Sequence, residues 1–391
     1  MPSKIKVCQY VPHGAIPDKR GFAPAIVAQN YARYIDKEKI DIYFIANREN
    51  DPLSHEYTEV GEVFRIQESR PYRRLFRKIT KLDPYPLHVR AAKIINQHPV
   101  DIVHVHQLEF PVADFRKQLQ NRSENTKIAI EAPVTVNRFK EHLGVADRYI
   151  AVSEHVRNIL IEKGYPEERI VTITNGVNTD IFKPLDDTVH LKQKYQIARS
   201  DVVVSFIGRK QEGKRFDLFL SLADYLLEKY SNITVLAVGP EPEDAKTEKT
   251  YEQRQKVRQK LLKHQKYREL PSQEHSILAE IFQMTDISVL MSLDEAQGMT
   301  MVESIASGCV TVSSAVGGIK ETITDGYNGF LLPENASFET VIETVEEVLN
   351  TLDSDKMKSI RLNARKVAIE KFDIHVIADK LEKLYQDMKN E

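Results

Sequence analysis

Cysteine is nearly absent: the 391 residues hold two, Cys8 and Cys309. Thiols this few and this far apart build neither a disulfide framework nor a zinc site, so a reducing, cytoplasmic setting is expected. Long apolar runs are missing as well. The opening MPSKIKVCQYV lacks the extended hydrophobic stretch and small-residue cleavage site of a secretion signal. No later run approaches the ~20 apolar residues of a membrane-spanning helix, so a soluble protein is expected. Excess charge of one sign is also missing, the formal net charge being −2. The halves differ, with 26 basic and 20 acidic residues up to Tyr165 and 29 and 37 beyond it. A modest basic excess confined to one part of the chain argues against nucleic acid as a partner.

What is present is alternation. Short β-branched runs (KIKVCQYV, KIDIYFIA, DIVHVH, KIAIEA, RYIAVS) are separated by segments of helical period, the pattern of a parallel, doubly wound sheet. After TNGVNTDIFKPLDD the pattern restarts with DVVVSFIG, ITVLAVG, DISVLMS, VTVSS and NGFLL. The chain therefore reads as α/β, two Rossmann-like doubly wound domains facing a cleft, with a first domain over 1–170 and a second over 171–372. The charge-rich stretch Glu241 to Tyr267 is expected to be a solvated surface helix. Asp353-Ser354-Asp355 lies between two helical stretches and reads as an N-cap turn. A single acidic triplet supplies too little of an oxygen shell for a cation, so no metal site is expected.

Two constellations carry chemistry. In FIGRKQEGKRFD a strand ends at Gly208 and a helix starts near Arg215. Ligands of doubly wound sheets bind beyond the strands' carboxyl ends, so Arg209 and Lys214 bracket a phosphate-sized site; the plainer alternative is a pair of solvated charges. In SLDEAQGMTMVES, Glu295 and Glu303 flank Gly298 and the start of a helix. Backbone N–H groups of Gln297, Gly298, Met299 and Thr300 can hold a phosphate there. The two carboxylates are acceptor-only groups suited to sugar or ribose hydroxyls, or else ordinary charges favoured near a helix N-terminus.

The series ITNGVNTDIFKP, FIGRKQEGKRFD, LAVGPEP, DEAQGMTMVESIASG and SSAVGGIKETITDGYNGFLL resembles the donor domain of the family 4 retaining glycosyltransferases, over about 160 residues and in the right order. The resemblance implies the GT-B fold, a nucleotide-sugar donor such as a UDP- or GDP-sugar, and no further cofactor. It implies that Arg209 and Lys214 bind the donor diphosphate, Glu303 the ribose and Glu295 the transferred sugar, with Val316-Gly317-Gly318 beneath the nucleotide. It also implies that the last stretch, 373–391, packs back on the first domain. Gln297 stands where the family usually has phenylalanine, and the base-recognition loop is located only roughly, at Arg268 to Pro271.

The first half resembles the family less closely. Gly21, in Lys19-Arg20-Gly21-Phe22, is one retained glycine of a loop expected to approach the donor. His104 and His106 share one face of a strand; His106, at its end, is placed either beside the acceptor or in a structural role. In KIAIEAPVTVN, Glu131-Ala132-Pro133 stand at the strand end where many relatives have a histidine. RPYRRLFRKITKL, Arg70 to Leu82, carries six cations around an apolar stripe of Tyr72, Leu75, Phe76, Ile79 and Leu82. Such a helix suits a membrane surface or packing on its own domain. The expected activity is transfer of a hexose to a glycan or lipid-linked acceptor in bacterial-type envelope or surface polysaccharide synthesis, at the inner face of the membrane. The alternatives are a non-catalytic GT-B-like nucleotide- or glycan-binding subunit, and an epimerase or phosphorylase.

Overall fold

A computed structural model of the chain describes residues 3–17, 23–48, 53–66, 71–80, 86–120, 125–132 and 144–391. Two compact units emerge: residues 1–175 together with 374–391, and residues 176–373.

The first unit is built on an eight-stranded sheet. Its strands are β1 (Ile5–Val11), β2 (Ile40–Asn47), β3 (His55–Thr58), β4 (Gly61–Ile66), β5 (Ile102–Val105), β6 (Lys127–Ala132), β7 (Arg148–Ala151) and β8 (Ile170–Thr172). They lie in the order β3-β4-β2-β1-β5-β6-β7-β8, all parallel except β3, which runs antiparallel to β4. Buried strands between helical layers need apolar side chains on both faces, which is why β1 reads IKVCQYV with all but Lys6 enclosed. The helix Ile374–Asn390 belongs to this unit. Ile374, Ile377, Ala378, Leu381, Leu384, Tyr385 and Met388 form its buried stripe at the three- and four-residue spacing of one helical face. Glu382 accepts from the Asp36 backbone N–H at 2.6 Å, and Lys389 reaches Asp101 at 3.1 Å.

The second unit has six parallel strands: β9 (Val202–Ile207), β10 (Ile233–Val238), β11 (Tyr267–Leu270), β12 (Ile287–Leu290), β13 (Val310–Ser314) and β14 (Phe330–Leu332). Their order, β11-β10-β9-β12-β13-β14, reverses direction between β9 and β12. The helix Phe216–Lys229 covers the sheet with Phe216, Phe219, Leu220, Ala223, Leu226 and Leu227; truncating one such leucine costs about 2–5 kcal/mol. Ser354 caps the helix Asp355–Phe372 by accepting from the Met357 N–H.

The charged stretch after Glu241 forms a surface helix as expected, with Glu252, Gln253, Lys256, Gln259 and Lys260 exposed, but one of its charges is enclosed. Arg254, in the helix Tyr251–Leu261, is wholly buried, with Glu248 Oε2 at 2.6 Å and Glu241 Oε1 at 3.6 Å. Arg258 binds both Glu241 and Glu269. The charges are there because they pair with one another against β11, and a charge run alone does not reveal such partners.

Candidate active site

The strand order reverses between β9 and β12, and the loops leaving their carboxyl ends run side by side. After β9 come Gly208, Arg209 and Lys210, then a single 3-10 turn, Glu212–Lys214. Arg215 adopts a left-handed conformation (φ 47°) before the helix Phe216–Lys229 and is held by its guanidinium on the Ala336 carbonyl at 3.2 Å. After β12, Met291 to Gly298 lead into the helix Met299–Ala306. The Leu293 N–H donates to the Gly213 carbonyl at 3.0 Å, joining the two loops. A third loop, after β13, closes on them: the Gly318 N–H donates to the Glu295 carbonyl at 3.0 Å. Gly317, at φ 49°, approaches so closely that a Cβ would stand 1.9 Å from that same oxygen.

This convergence brings Lys214 and Glu295, 81 residues apart, into an ion pair through Nζ and Oε1. Ser292 Oγ donates to the same Oε1 at 2.8 Å. Arg209 is exposed, and its side chain makes no ion pair or hydrogen bond among the described residues. Lys210 beside it is buried, donating to the Leu270 carbonyl at 3.0 Å and approaching Glu269 at 3.4 Å; burial lowers its pKa, with Glu269 opposing. Gly298, left-handed at φ 82°, precedes the helix Met299–Ala306, and no side chain caps it. The Met301 N–H donates back to the Gly298 carbonyl at 2.8 Å, which leaves the N–H groups of Met299 and Thr300 without an acceptor among the described residues. Gln297 is buried and Met299 and Thr300 half-buried there. One turn in, Glu303 is 6% exposed. Burial, with no compensating partner among the described residues, pushes its carboxyl up to about 8, so at neutral pH it is largely protonated. At the expected base location, Arg268 on β11 is turned to backbone carbonyls, including Tyr267 O at 3.3 Å.

In the first unit His104 and His106 do share a face, yet both side chains are fully enclosed. His106 therefore stands inside the unit and not on a surface that an acceptor could touch. Its Nε2–H donates to Gln9 Oε1 at 2.6 Å, Gln9 Nε2 donates to the Tyr385 hydroxyl at 2.9 Å, and that hydroxyl donates to His104 Nδ1 at 2.7 Å. The carboxylate of Glu131 completes the cluster, with Oε2 2.6 Å from His106 Nδ1 and 3.5 Å from His104 Nε2, without hydrogen-bond alignment in either case. Burial, then the neighbouring imidazole, lowers His104 to about 4. Burial raises Glu131, but His106 and His104 outweigh it and bring the carboxyl to about 2. The imidazoles are stacked, 4.4 Å between centroids and 22° from parallel, and one ligand atom from each of His104, His106 and Glu131 lies within 4.8 Å of the others, a grouping that could hold a metal ion. Gly21 and Pro133 lie outside the described residues.

Sequence reasoning missed Ser292, Gln9 and Tyr385. Ser292 was legible in principle, three residues before Glu295 in the same loop; Tyr385 carried no signal beyond the apolar stripe of its helix.

Residues 25–181 match the family described as Glycosyltransferase Family 4, and residues 187–367 match Glycosyl transferases group 1. The chain belongs to the family 4 glycosyltransferases. This glycosyltransferase is 26% identical over 356 residues, 86% of either chain, to the lipopolysaccharide 1,2-N-acetylglucosaminetransferase of Salmonella typhimurium. Among solved structures it resembles a glycosyltransferase from Rickettsia africae (TM-score 0.76, 18% identity, 98% of both chains). It equally resembles Anabaena HepE in complex with UDP and glucose (TM-score 0.76, 17% identity, 98% of this chain and 100% of that one). The two Rossmann-like units are those of the GT-B fold.

Proposed function

We propose that this glycosyltransferase takes a hexose from a nucleoside-diphosphate sugar and transfers it with retention of configuration, using no metal ion. The observation that carries the reading is the meeting of three loops at the β9/β12 reversal, where Arg209, Lys214 and a helix N-terminus supply positive charge beside Glu295 and Glu303. Arg209 and Lys214 stabilise the diphosphate as it departs, at the point where negative charge develops in the transition state. Glu303 receives the ribose hydroxyls and Glu295 those of the sugar. The acceptor hydroxyl attacks from the face the nucleotide leaves, and the departing phosphate takes its proton.

The acceptor is a glycan or lipid-linked glycan of a bacterial-type envelope, in keeping with the name of the Salmonella relative. The helix Pro71–Thr80 supports a membrane setting: Leu75, Phe76 and Ile79 are 60%, 42% and 72% exposed. Six cations between Arg70 and Leu82, at about 1 kcal/mol each near an anionic leaflet, suffice for reversible attachment. No helix among the described residues is long and apolar enough to cross a membrane. Co-sedimentation with anionic but not neutral vesicles, lost on reversing Arg73, Arg74, Arg77 and Lys78, is the expected outcome.

The test of the donor site is a melting screen of the wild type and the Arg209→Ala/Lys214→Ala variant against UDP, GDP, ADP and their sugar conjugates. Ligand binding raises the melting temperature by mass action. One nucleotide stabilising the wild type and not the variant supports the reading. Silence at millimolar concentrations sinks it in favour of a GT-B-like subunit that transfers nothing.

A further inference from the structure

The carboxylate of Glu295 is held asymmetrically. Ser292 Oγ and Lys214 Nζ both donate to Oε1, while Oε2 has no partner among the described residues. An ionised carboxylate oxygen accepts about two hydrogen bonds, so Oε1 is filled and Oε2 is open to two hydroxyl donors. The holding groups differ in kind. Ser292 is completely buried and sits in Glu295's own loop, whose backbone is fixed by Gly318 and crowded by Gly317. Lys214 arrives from the loop after β9, the same loop that presents Arg209.

We propose that Ser292 is a positioning residue that fixes Glu295 as a one-oxygen acceptor for the hydroxyls of the transferred sugar, and that Lys214 is a shared cation, passing from Glu295 to the diphosphate when the donor binds. The proposal rests on the donor-site reading above. Its consequence has an unusual sign. Glu295 competes with the diphosphate for Lys214, so neutralising Glu295 releases the ammonium and tightens a nucleoside diphosphate that carries no sugar. The same change removes the acceptor for the sugar, so the extra affinity of the sugar conjugate is lost. The Ser292 hydroxyl donates to the carboxylate, so its loss spares the bare nucleotide and impairs the sugar.

Calorimetric titration of UDP and UDP-glucose, with GDP and GDP-mannose alongside, tests this on the full chain. Glu295→Gln is expected to bind the bare diphosphate about 3–10-fold more tightly than wild type. That gain should vanish in the Glu295→Gln/Lys214→Ala double variant, which separates release of Lys214 from simple relief of charge repulsion. Ser292→Ala should leave the bare diphosphate within about 2-fold of wild type, reduce the preference for the sugar conjugate about 10-fold and lower kcat more than it raises the donor KM; Ser292→Thr, which keeps the hydroxyl, should recover most of this. Melting temperatures guard against a folding defect, and the Glu295→Gln arm stands if Ser292→Thr does not fit. A Glu295→Gln gain that persists without Lys214, a weakened bare diphosphate in Glu295→Gln, or equal behaviour of Ser292→Ala and Ser292→Thr with both folded overturns the proposal while leaving the donor site intact. If neither nucleotide binds the wild type, the donor-site reading falls and this proposal with it.

Discussion

Glu303 offers a measurable consequence of burying a carboxyl without a partner. Its pKa, about 8 in the folded protein against 4.5 for an ordinary glutamate, means that between those values the native state holds a proton the unfolded chain has released. The stability this confers is fully present below pH 4.5 and is lost as pH rises through 8. Linkage between pH 6 and pH 9 gives a loss of about 3 kcal/mol from this one group. Glu303→Gln stays neutral throughout and loses none of it. Stability relative to wild type should therefore rise by about 3 kcal/mol across that range, or roughly 6–12 °C in melting temperature for a unit of this size. Melting curves of the two proteins at pH 6, 7, 8 and 9 measure the difference, and titrations common to both cancel. A difference that stays constant within about 0.5 kcal/mol would mean that Glu303 is ionised throughout and that its burial is compensated. With nucleotide bound, hydroxyl donors favour the ionised form, so wild-type affinity relative to Glu303→Gln should increase with pH over the same interval.

Three further outcomes follow from the packing. Arg254→Ala leaves Glu248 without its buried cation, while Glu241 keeps Arg258, and should destabilise the second unit by about 3–5 kcal/mol in urea unfolding; a loss below about 1 kcal/mol would mean that water reaches the Glu248 carboxylate. Gly317→Ala forces a Cβ against the Glu295 carbonyl at a left-handed φ, and transfer should fall at least about tenfold with a stability loss of about 1–3 kcal/mol; unchanged turnover would detach Glu295 from catalysis. In the first unit, His104 and Glu131 both have lowered pKa values, so their contributions are present at neutral pH and fade as pH falls, from 6.5 to 4 for His104 and from 4.5 to 2 for Glu131. Amide protection factors in the helix Ile374–Asn390, taken relative to the intrinsic exchange rate at each pH, should therefore fall on acidification, and His104→Gln should flatten the upper part of that profile.

The parallel strands were legible because a strand covered on both faces is a short apolar β-branched run, as in VVVSFI and ITVLAV. The elements that escaped lie at or next to sheet edges. β3, HEYT, is an edge strand paired only with β4, GEVFRI, which lies between it and β2, and β11, YREL, is paired on one side only; edge strands keep one flank in water and lose the apolar signature. At the site, spacing marked Arg209, Lys214, Glu295 and Glu303, but the pairing of Lys214 with Glu295 comes from β9 lying beside β12, a tertiary fact. Period-two alternation put His104 and His106 on one face without fixing its depth, and the helix that buries them begins 268 residues after His106.

That long return has a kinetic side. The hydroxyl of Tyr385 occupies the centre of a polar cluster whose other members precede residue 132, so the first sheet cannot complete its interior while the ribosome is still working through residues 176–373. At ~5–20 residues per second the delay is roughly 10–40 s. The intervening unit, closed on itself, is free to finish first, and throughout that interval the early sheet presents an open apolar trough to whatever chaperone or neighbouring chain is at hand. Translation rate near the carboxyl end, more than the intrinsic stability of either unit, should set how much of this enzyme reaches the folded state.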